Sequence, residues 1–184
     1  MITKEQLREK YFKTRKKKYF EVEDNFFDPL SKIINQLSIR KKLYISFYYP
    51  SNYEVNVLNF LKKIKLKKNI VSLLPSIISK NKMHFYNWSY LETLKVNKYG
   101  MLEPIMTKKK IIPDIILVPL LAYDKKNNRL GYGKGFYDNY LNKYLKFKKK
   151  ILTIGIAFSF QKYNKLPISK QDVKLDHILT EKGI

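Results

Sequence analysis

At 184 residues, 45% of them hydrophobic, the chain suits one domain with a sizeable core and is too apolar for a disordered polymer. It has no cysteine, which excludes disulfides and cysteine-ligated metals; with no apolar run of ~20 residues and no apolar leader in Met1-Ile-Thr-Lys-Glu-Gln-Leu-Arg8, a cytoplasmic protein off the membrane is expected. The formal charge of +23 comes almost wholly from lysine, and with few arginines and much Ile, Asn and Tyr it has the profile of AT-rich codon drift rather than of selection for nucleic acid.

In chain order, Thr3 caps an expected helix over Lys4–Lys18, with Glu5 in its first turn where the helix dipole favours an acid. A second helix is expected over Asp28–Leu37, with Pro29 at its first position. The β-branched and aromatic run Leu43–Tyr49 predicts a buried strand stopped by Pro50. Helical spacing of Val57, Leu58, Leu61 and Ile64 predicts a helix from Glu54 to Lys63. Further strands are expected at Asn69–Leu74 (ending before Pro75), Met83–Tyr86, Ile115–Val118 (closed by Pro119) and Leu152–Ala157, with a helix over Gly135–Tyr144. Strands alternating with helices imply a single three-layer α/β/α domain over 1–184 with a mainly parallel sheet. The runs Lys16–Lys18, Lys108–Lys110 and Lys148–Lys150 read as solvated loops, and His84 and His177 as structural.

Glycine is scarce, six in the chain, yet Gly131, Gly133 and Gly135 alternate within Arg129-Leu-Gly-Tyr-Gly-Lys-Gly-Phe-Tyr-Asp138. Glycine allows positive φ and close approach to a ligand. Successive amides in such a loop, backed by a helix N-terminus, form a seat for an anion. Lys134 supplies a point charge and Arg129 a fork suited to phosphate. The spacing is neither the dinucleotide fingerprint nor a P-loop. A glycine-rich turn with incidental cations is the plain alternative.

The segment Pro113–Leu141, which contains this loop, resembles the 5-formyltetrahydrofolate cyclo-ligases, also called 5,10-methenyltetrahydrofolate synthetases. Weaker matches follow in family order: Lys4-Glu-Gln-Leu-Arg8, Glu54-Val55, Tyr99-Gly-Met-Leu-Glu-Pro104, Leu166-Pro167 and Asp172–Thr180. The resemblance implies ATP- and Mg²⁺-dependent closure of 5-formyltetrahydrofolate to 5,10-methenyltetrahydrofolate, through a phosphorylated formyl group, with release of ADP and phosphate. Such chemistry needs alignment and charge stabilisation rather than a covalent nucleophile.

Carried over residue by residue, the resemblance gives Lys4 and Arg8 as phosphate contacts; their i, i+4 spacing puts both on one helix face, where a basic surface helix is the plain reading. It gives Arg129, Leu130, Gly131, Tyr132, Gly133, Lys134, Gly135, Phe136 and Tyr137 as the ATP site, with Lys134 and Arg129 catalytic. Tyr49, Glu54, Trp88 and Phe136 are implied folate contacts, although aromatic core packing accounts for Tyr49, Trp88 and Phe136, and a helix-start charge for Glu54. Asp138 and Asp172 match the family's Mg²⁺ positions. Asp124 and Glu103 carry family motifs without an assignable role. Departures are Phe136 for a usual Tyr, Leu120 for a usual glycine and Gln171 for a frequent His. The expected partner is a small molecule, with no specific nucleic acid, and the expected state a monomer. A basic RNA-binding protein, motivated by the charge, is the rival reading; a non-catalytic folate-binding relative is the third.

Overall fold

The computed structural model describes residues 2–38, 42–64, 66–105, 109–146 and 150–184, and for 145 and 146 the backbone alone. Its centre is a sheet of seven strands in the order β11-β10-β7-β1-β2-β3-β6. These are β1 (Leu43–Ser46), β2 (Ile70–Ser79), β3 (Lys82–Asn87), β6 (Lys110–Ile111), β7 (Ile115–Pro119), β10 (Leu152–Ile156) and β11 (His177–Leu179). The five strands from β11 to β2 run parallel, and β3 and β6 close one edge antiparallel.

Alternation along the strands sorts the core onto two faces. Leu43, Ile45, Ile115, Leu117, Ile154 and Ile156 meet helices α2 (Asp28–Ser38) and α3 (Leu58–Ile64), through Leu30, Ile34, Phe60 and Leu61. Ile116, Val118, Leu73 and Phe85 face the other way, onto α4 (Phe136–Lys146), through Phe136, Tyr140, Leu141 and Tyr144. This is the expected three-layer α/β/α arrangement. The first helix, α1 (Lys4–Lys18), instead packs Leu7 and Tyr11 against a small hairpin, β8 (Ala122–Tyr123) and β9 (Arg129–Leu130). A second hairpin, β4 (Leu94–Val96) and β5 (Leu102–Pro104), completes the described elements.

Several boundaries differ from expectation for physical reasons. The first strand stops at Ser46; Tyr48 then turns inward, and its hydroxyl donates to the Val55 carbonyl at 2.8 Å. The next helix starts at Leu58, not Glu54, because the Asn56 side chain caps the Leu58 N–H at 3.1 Å. Glu54 therefore lies in a loop and is no helix-start charge. Strand β2 runs through Pro75. The β1 pairing ends where Ser46 meets Leu73, and beyond it the Ile77 N–H, two residues after Pro75, points to Glu103 Oε2 at 3.0 Å. The Pro75 nitrogen faces that same open edge, so no ladder bond is lost. The run Lys16–Lys18 forms the last turn of α1, where the dipole favours cations; the other two lysine runs lie partly outside the described residues.

Gly155 sits on β10 where three side chains converge. A Cβ there would lie 2.6 Å from Ile178 Cδ1, 2.7 Å from Leu120 Cδ2 and 2.8 Å from Leu175 Cδ1. Leu120, which departs from the family pattern, is one of the groups filling this space. Gly155→Ala overpacks it and is expected to lower stability by about 1–3 kcal/mol, read as a lower denaturant midpoint at unchanged m-value.

Candidate active site

A cavity of about 740 Å³ opens between α1, the loop after β1, the β4–β5 hairpin and the segment that joins β9 to α4. That volume is in the range of small-molecule sites. Its lining divides by chemistry. The lining includes Lys4, Arg8, Asp172 and the loop Gly131–Gly135, and beside them Glu54 with Tyr48, Tyr49, Tyr99, Met101 and Phe136.

The glycine loop leaves β9 at Leu130 and enters α4 at Phe136, with Gly135 accepting the Asn139 N–H as the helix begins. Gly133 has φ +91°, and a Cβ on it would meet the Arg8 guanidinium carbon at 3.2 Å. Positive φ and the close approach of Arg8 together call for glycine here. Arg8 Nε donates to the Gly131 carbonyl at 3.0 Å, which docks α1 onto the loop. Lys134 is exposed at the cavity wall with its ammonium 5.7 Å from the Tyr99 ring centre, and among the described residues no hydrogen bond or ion pair engages it.

Arg129 is placed otherwise than a free phosphate fork. One terminal nitrogen donates to Asp138 Oδ1 at 2.7 Å and the other to the Val173 carbonyl at 2.6 Å, with only 4% of the side chain exposed. The Val173 N–H also donates to Asp138 Oδ1, at 3.0 Å. Arg129 thus clamps the two ends of the loop to the C-terminal segment. Asp172, next to Val173, pairs with Lys4 and accepts the Ser169 N–H at 2.6 Å. Burial pushes the Asp172 carboxyl up, but the Lys4 and Ser169 hydrogen bonds outweigh it and hold the group below its ordinary value.

Asp138 and Asp172, the expected magnesium positions, are therefore each joined to an expected phosphate cation. Among the described residues no group of three or more His, Asp or Glu side chains could hold a metal alone. Asp138 Oδ2 and Asp172 Oδ1 make none of these hydrogen bonds. Two such oxygens suit magnesium that arrives with phosphates, which commonly takes one or two carboxylates and fills its sphere with phosphate and water.

Next to the loop, Glu54 is 7% exposed. The Ser51 N–H donates to its Oε2 at 2.9 Å, and the Tyr132 hydroxyl donates to its Oε1. Burial raises the Glu54 carboxyl above its ordinary value, opposed by the Tyr132 hydrogen bond, the nearby Arg15 charge and Ser51. Phe136 meets Tyr99 edge-on at 5.8 Å, and Tyr137 also lines the cavity. Trp88 does not reach the cavity. It is 2% exposed, its indole N–H donates to the Glu92 carbonyl at 3.0 Å, and it touches the cleft only through an edge contact with Tyr49.

Three residues at the site went unread in the sequence. Arg15 lies fully buried behind the loop, Tyr99 overhangs it from the β4–β5 turn, and Tyr48 underlies Glu54. A signal for Arg15 was present: in a lysine-rich chain with four arginines, Arg8, Arg15 and Arg129 all converge on the loop. Arg40 lies outside the described residues. The two acids without an assigned role are held by hydrogen bonds. Glu103 accepts from Ile77 and Asn97, and Asp124 accepts from the Lys126, Asn128 and Leu166 N–H groups. His84 is buried on β3, its imidazole shifted down by burial and by Lys110, Lys82 and Lys143.

Comparison with known proteins gives the family. The profile of the 5-formyltetrahydrofolate cyclo-ligase family matches residues 1–181. The chain is 29% identical over 151 residues to a 5-formyltetrahydrofolate cyclo-ligase of Haemophilus influenzae, covering 79% of this chain and 80% of that one. It is 37% identical over 136 residues to one of Mycoplasma genitalium, covering 73% and 70%. Among solved structures, a 5,10-methenyltetrahydrofolate synthetase from Mycoplasma pneumoniae superposes with a TM-score of 0.68 at 26% identity, over 97% of this chain and 98% of that one. An NMR structure of the Aquifex aeolicus 5,10-methenyltetrahydrofolate synthetase gives 0.69 at 28% identity, over 99% and 91%. Among the described residues, no helix is long and apolar enough to cross a membrane.

The clamp and the free lysine separate in a stability measurement. Asp138→Ala strands the nearly buried Arg129 charge and is expected to cost roughly 2–3 kcal/mol in denaturant unfolding. Lys134→Ala removes an unpaired surface cation and is expected to leave stability within about 0.5 kcal/mol of the parent.

Proposed function

The chain belongs to the 5-formyltetrahydrofolate cyclo-ligase family, and from that premise we propose that it closes 5-formyltetrahydrofolate to 5,10-methenyltetrahydrofolate while converting ATP to ADP and phosphate. The observation that carries the reading is one cavity with two chemistries: a glycine loop bearing the unpaired Lys134 adjoins a buried carboxylate among aromatic rings.

An amide carbon is a poor electrophile, and its oxygen leaves poorly as hydroxide. In the proposed sequence the formyl oxygen attacks the γ-phosphorus and the bond to ADP breaks. The 10-nitrogen then adds to the activated carbon and loses its proton to the departing phosphate or to water, and phosphate leaves with the oxygen while the methenyl bridge forms. The protein's share is alignment and charge stabilisation. Lys134 has no competing partner and sits on the loop, so it is the residue proposed to hold the transferring phosphate. The loop amides, and those Arg8 nitrogens not bound to Gly131, take the remaining phosphate charge. Asp138 and Asp172 would hold magnesium together with the phosphates, and the ion would supply positive charge to them there. Lys4, beside Asp172, adds a further cation to the phosphate site.

On the folate side, ionised Glu54 accepts N–H donors of the pterin, and Phe136, Tyr137 and Tyr99 shield the reacting groups from water. Phenylalanine at 136 offers a face and no hydroxyl, so any proton there must be handled elsewhere.

Purified protein with 5-formyltetrahydrofolate, ATP and Mg²⁺ is expected to show the absorbance of the methenyl product, and no product from folded protein refutes the reading. Lys134→Ala is expected to lower kcat by about 10²–10³-fold with the melting temperature unchanged; unaltered kcat removes the lysine from the mechanism. A further expectation concerns pH. Because burial raises the Glu54 carboxyl above 4.5, and the carboxylate is the binding form, folate affinity falls on acidification while the pH is still above the usual glutamate range. Glu54→Gln weakens binding and removes that acidic limb from kcat/KM for folate. A limb that persists in the glutamine variant assigns it to another group.

A further inference from the structure

We infer that Tyr132, although it sits inside the nucleotide loop, serves the folate side of the cavity: its hydroxyl positions the Glu54 carboxylate, with Arg15 behind it as counter-charge. The inference rests on Glu54 being the pterin's acceptor.

The hydroxyl lies between two charged groups that do not touch each other. It donates its one proton to Glu54 Oε1 and accepts from Arg15 Nη2 at 2.6 Å. Arg15 is 1% exposed; its other terminal nitrogen donates to the Leu120 carbonyl at 3.2 Å, and its Nε has no partner. The guanidinium also lies 5.5 Å from the Tyr132 ring centre. Among the described residues no carboxylate pairs directly with Arg15. A buried cation and a buried carboxylate each carry a desolvation cost, and one hydroxyl that accepts from the first and donates to the second offsets both.

This arrangement argues against a nucleotide role for the side chain. A tyrosine hydroxyl has a single proton to donate, and here it is spent on Glu54. What remains are lone pairs, which repel phosphate oxygens. The Tyr132 backbone N–H stays available to an anion, so the residue divides its groups between the two ligands. On the carboxylate, Ser51 holds Oε2 and Tyr132 holds Oε1, which fixes the plane in which the remaining lone pairs meet a donor. Tyr48 and Tyr137 also stand near Glu54, but the Tyr48 hydroxyl is engaged by the Val55 carbonyl. Tyr132 is thus a positioning residue for folate, reached through Glu54.

The test is calorimetric binding of 5-formyltetrahydrofolate and, separately, of Mg²⁺ with a non-hydrolysable ATP analogue, to the parent, Tyr132→Phe, Glu54→Gln and the double variant. Phenylalanine keeps the ring and its packing; melting temperatures check the fold. Tyr132→Phe is expected to weaken folate binding about tenfold or more, the weight of one charge-assisted hydrogen bond, with nucleotide Kd changed by less than about twofold. In the double variant the tyrosine change adds little to the loss from Glu54→Gln, because it acts through that carboxylate. Loss of nucleotide affinity, equal loss for both ligands, or additive loss in the double variant overturns the inference while leaving the proposed function standing. A parent protein that binds the nucleotide and no folate refutes the function first, and this inference with it.

Discussion

The ion pair between Arg129 and Asp138 is the constraint on which the site depends. The two residues stand at the two ends of the glycine loop, and Val173 binds both, its carbonyl to the arginine and its N–H to the aspartate. Three glycines give a chain many conformations, and unconstrained it would lose much entropy on ordering. Fixing both ends reduces what the loop can do before a ligand arrives. Arg8 then pins the middle through the Gly131 carbonyl, and Lys4 reaches Asp172, one residue before Val173. A helix near the N-terminus, a loop near residue 130 and a segment near residue 173 are thereby held as one unit. Preorganisation of this kind makes charge stabilisation effective, since the groups need not reorient as charge develops.

The same clamp separates what the sequence discloses from what it conceals. The glycine loop, the i, i+4 pair Lys4 and Arg8, and the three-layer architecture were legible, because each rests on local spacing or on hydrophobic period. The first helix was read to the residue, and its cap is present as a box in which Thr3 and Gln6 bond reciprocally. Partner choice was not legible. Nothing in the order of residues says that Arg129 spends its terminal nitrogens on Asp138 and Val173, or that Arg15 is buried. Those outcomes follow from contacts made across the fold. Trp88 shows the opposite error, for an aromatic in the right stretch of chain is drawn into the core by its large apolar surface and its indole partner. Short elements were also missed: the two hairpins and β11 have two or three residues per strand, too few to show a period.

Charge in the cavity is arranged as pairs. Lys4 with Asp172, Arg129 with Asp138, and Arg15 with Glu54 through Tyr132 leave little net charge buried. An isolated buried charge would shift its protonation or destabilise the fold, whereas a paired one waits at modest cost. The pairs differ in exposure. Lys4 and Asp172 side chains are 29% and 25% exposed, so solvent screens their attraction and a phosphate can replace the carboxylate cheaply. Arg129 is 4% exposed, so its pair resists exchange and acts as framework.

Lysine and arginine accordingly divide the work. The abundant lysines give the chain its formal charge of +23, a long-range field insensitive to exact position and weakened by salt. Arginine appears where a planar fork must satisfy several acceptors in fixed directions: a carbonyl at Arg8, a carbonyl and a hydroxyl at Arg15, a carboxylate and a carbonyl at Arg129. A lysine at 129 would keep the charge and lose a second directed bond, leaving the Val173 carbonyl without its donor. Drift toward lysine is tolerated across the surface and stops where geometry needs the fork. Lys134 is the informative exception: it sits exposed on the loop and, among the described residues, unpaired, and in the proposed reaction a mobile point charge would follow the transferring phosphate better than a rigid fork.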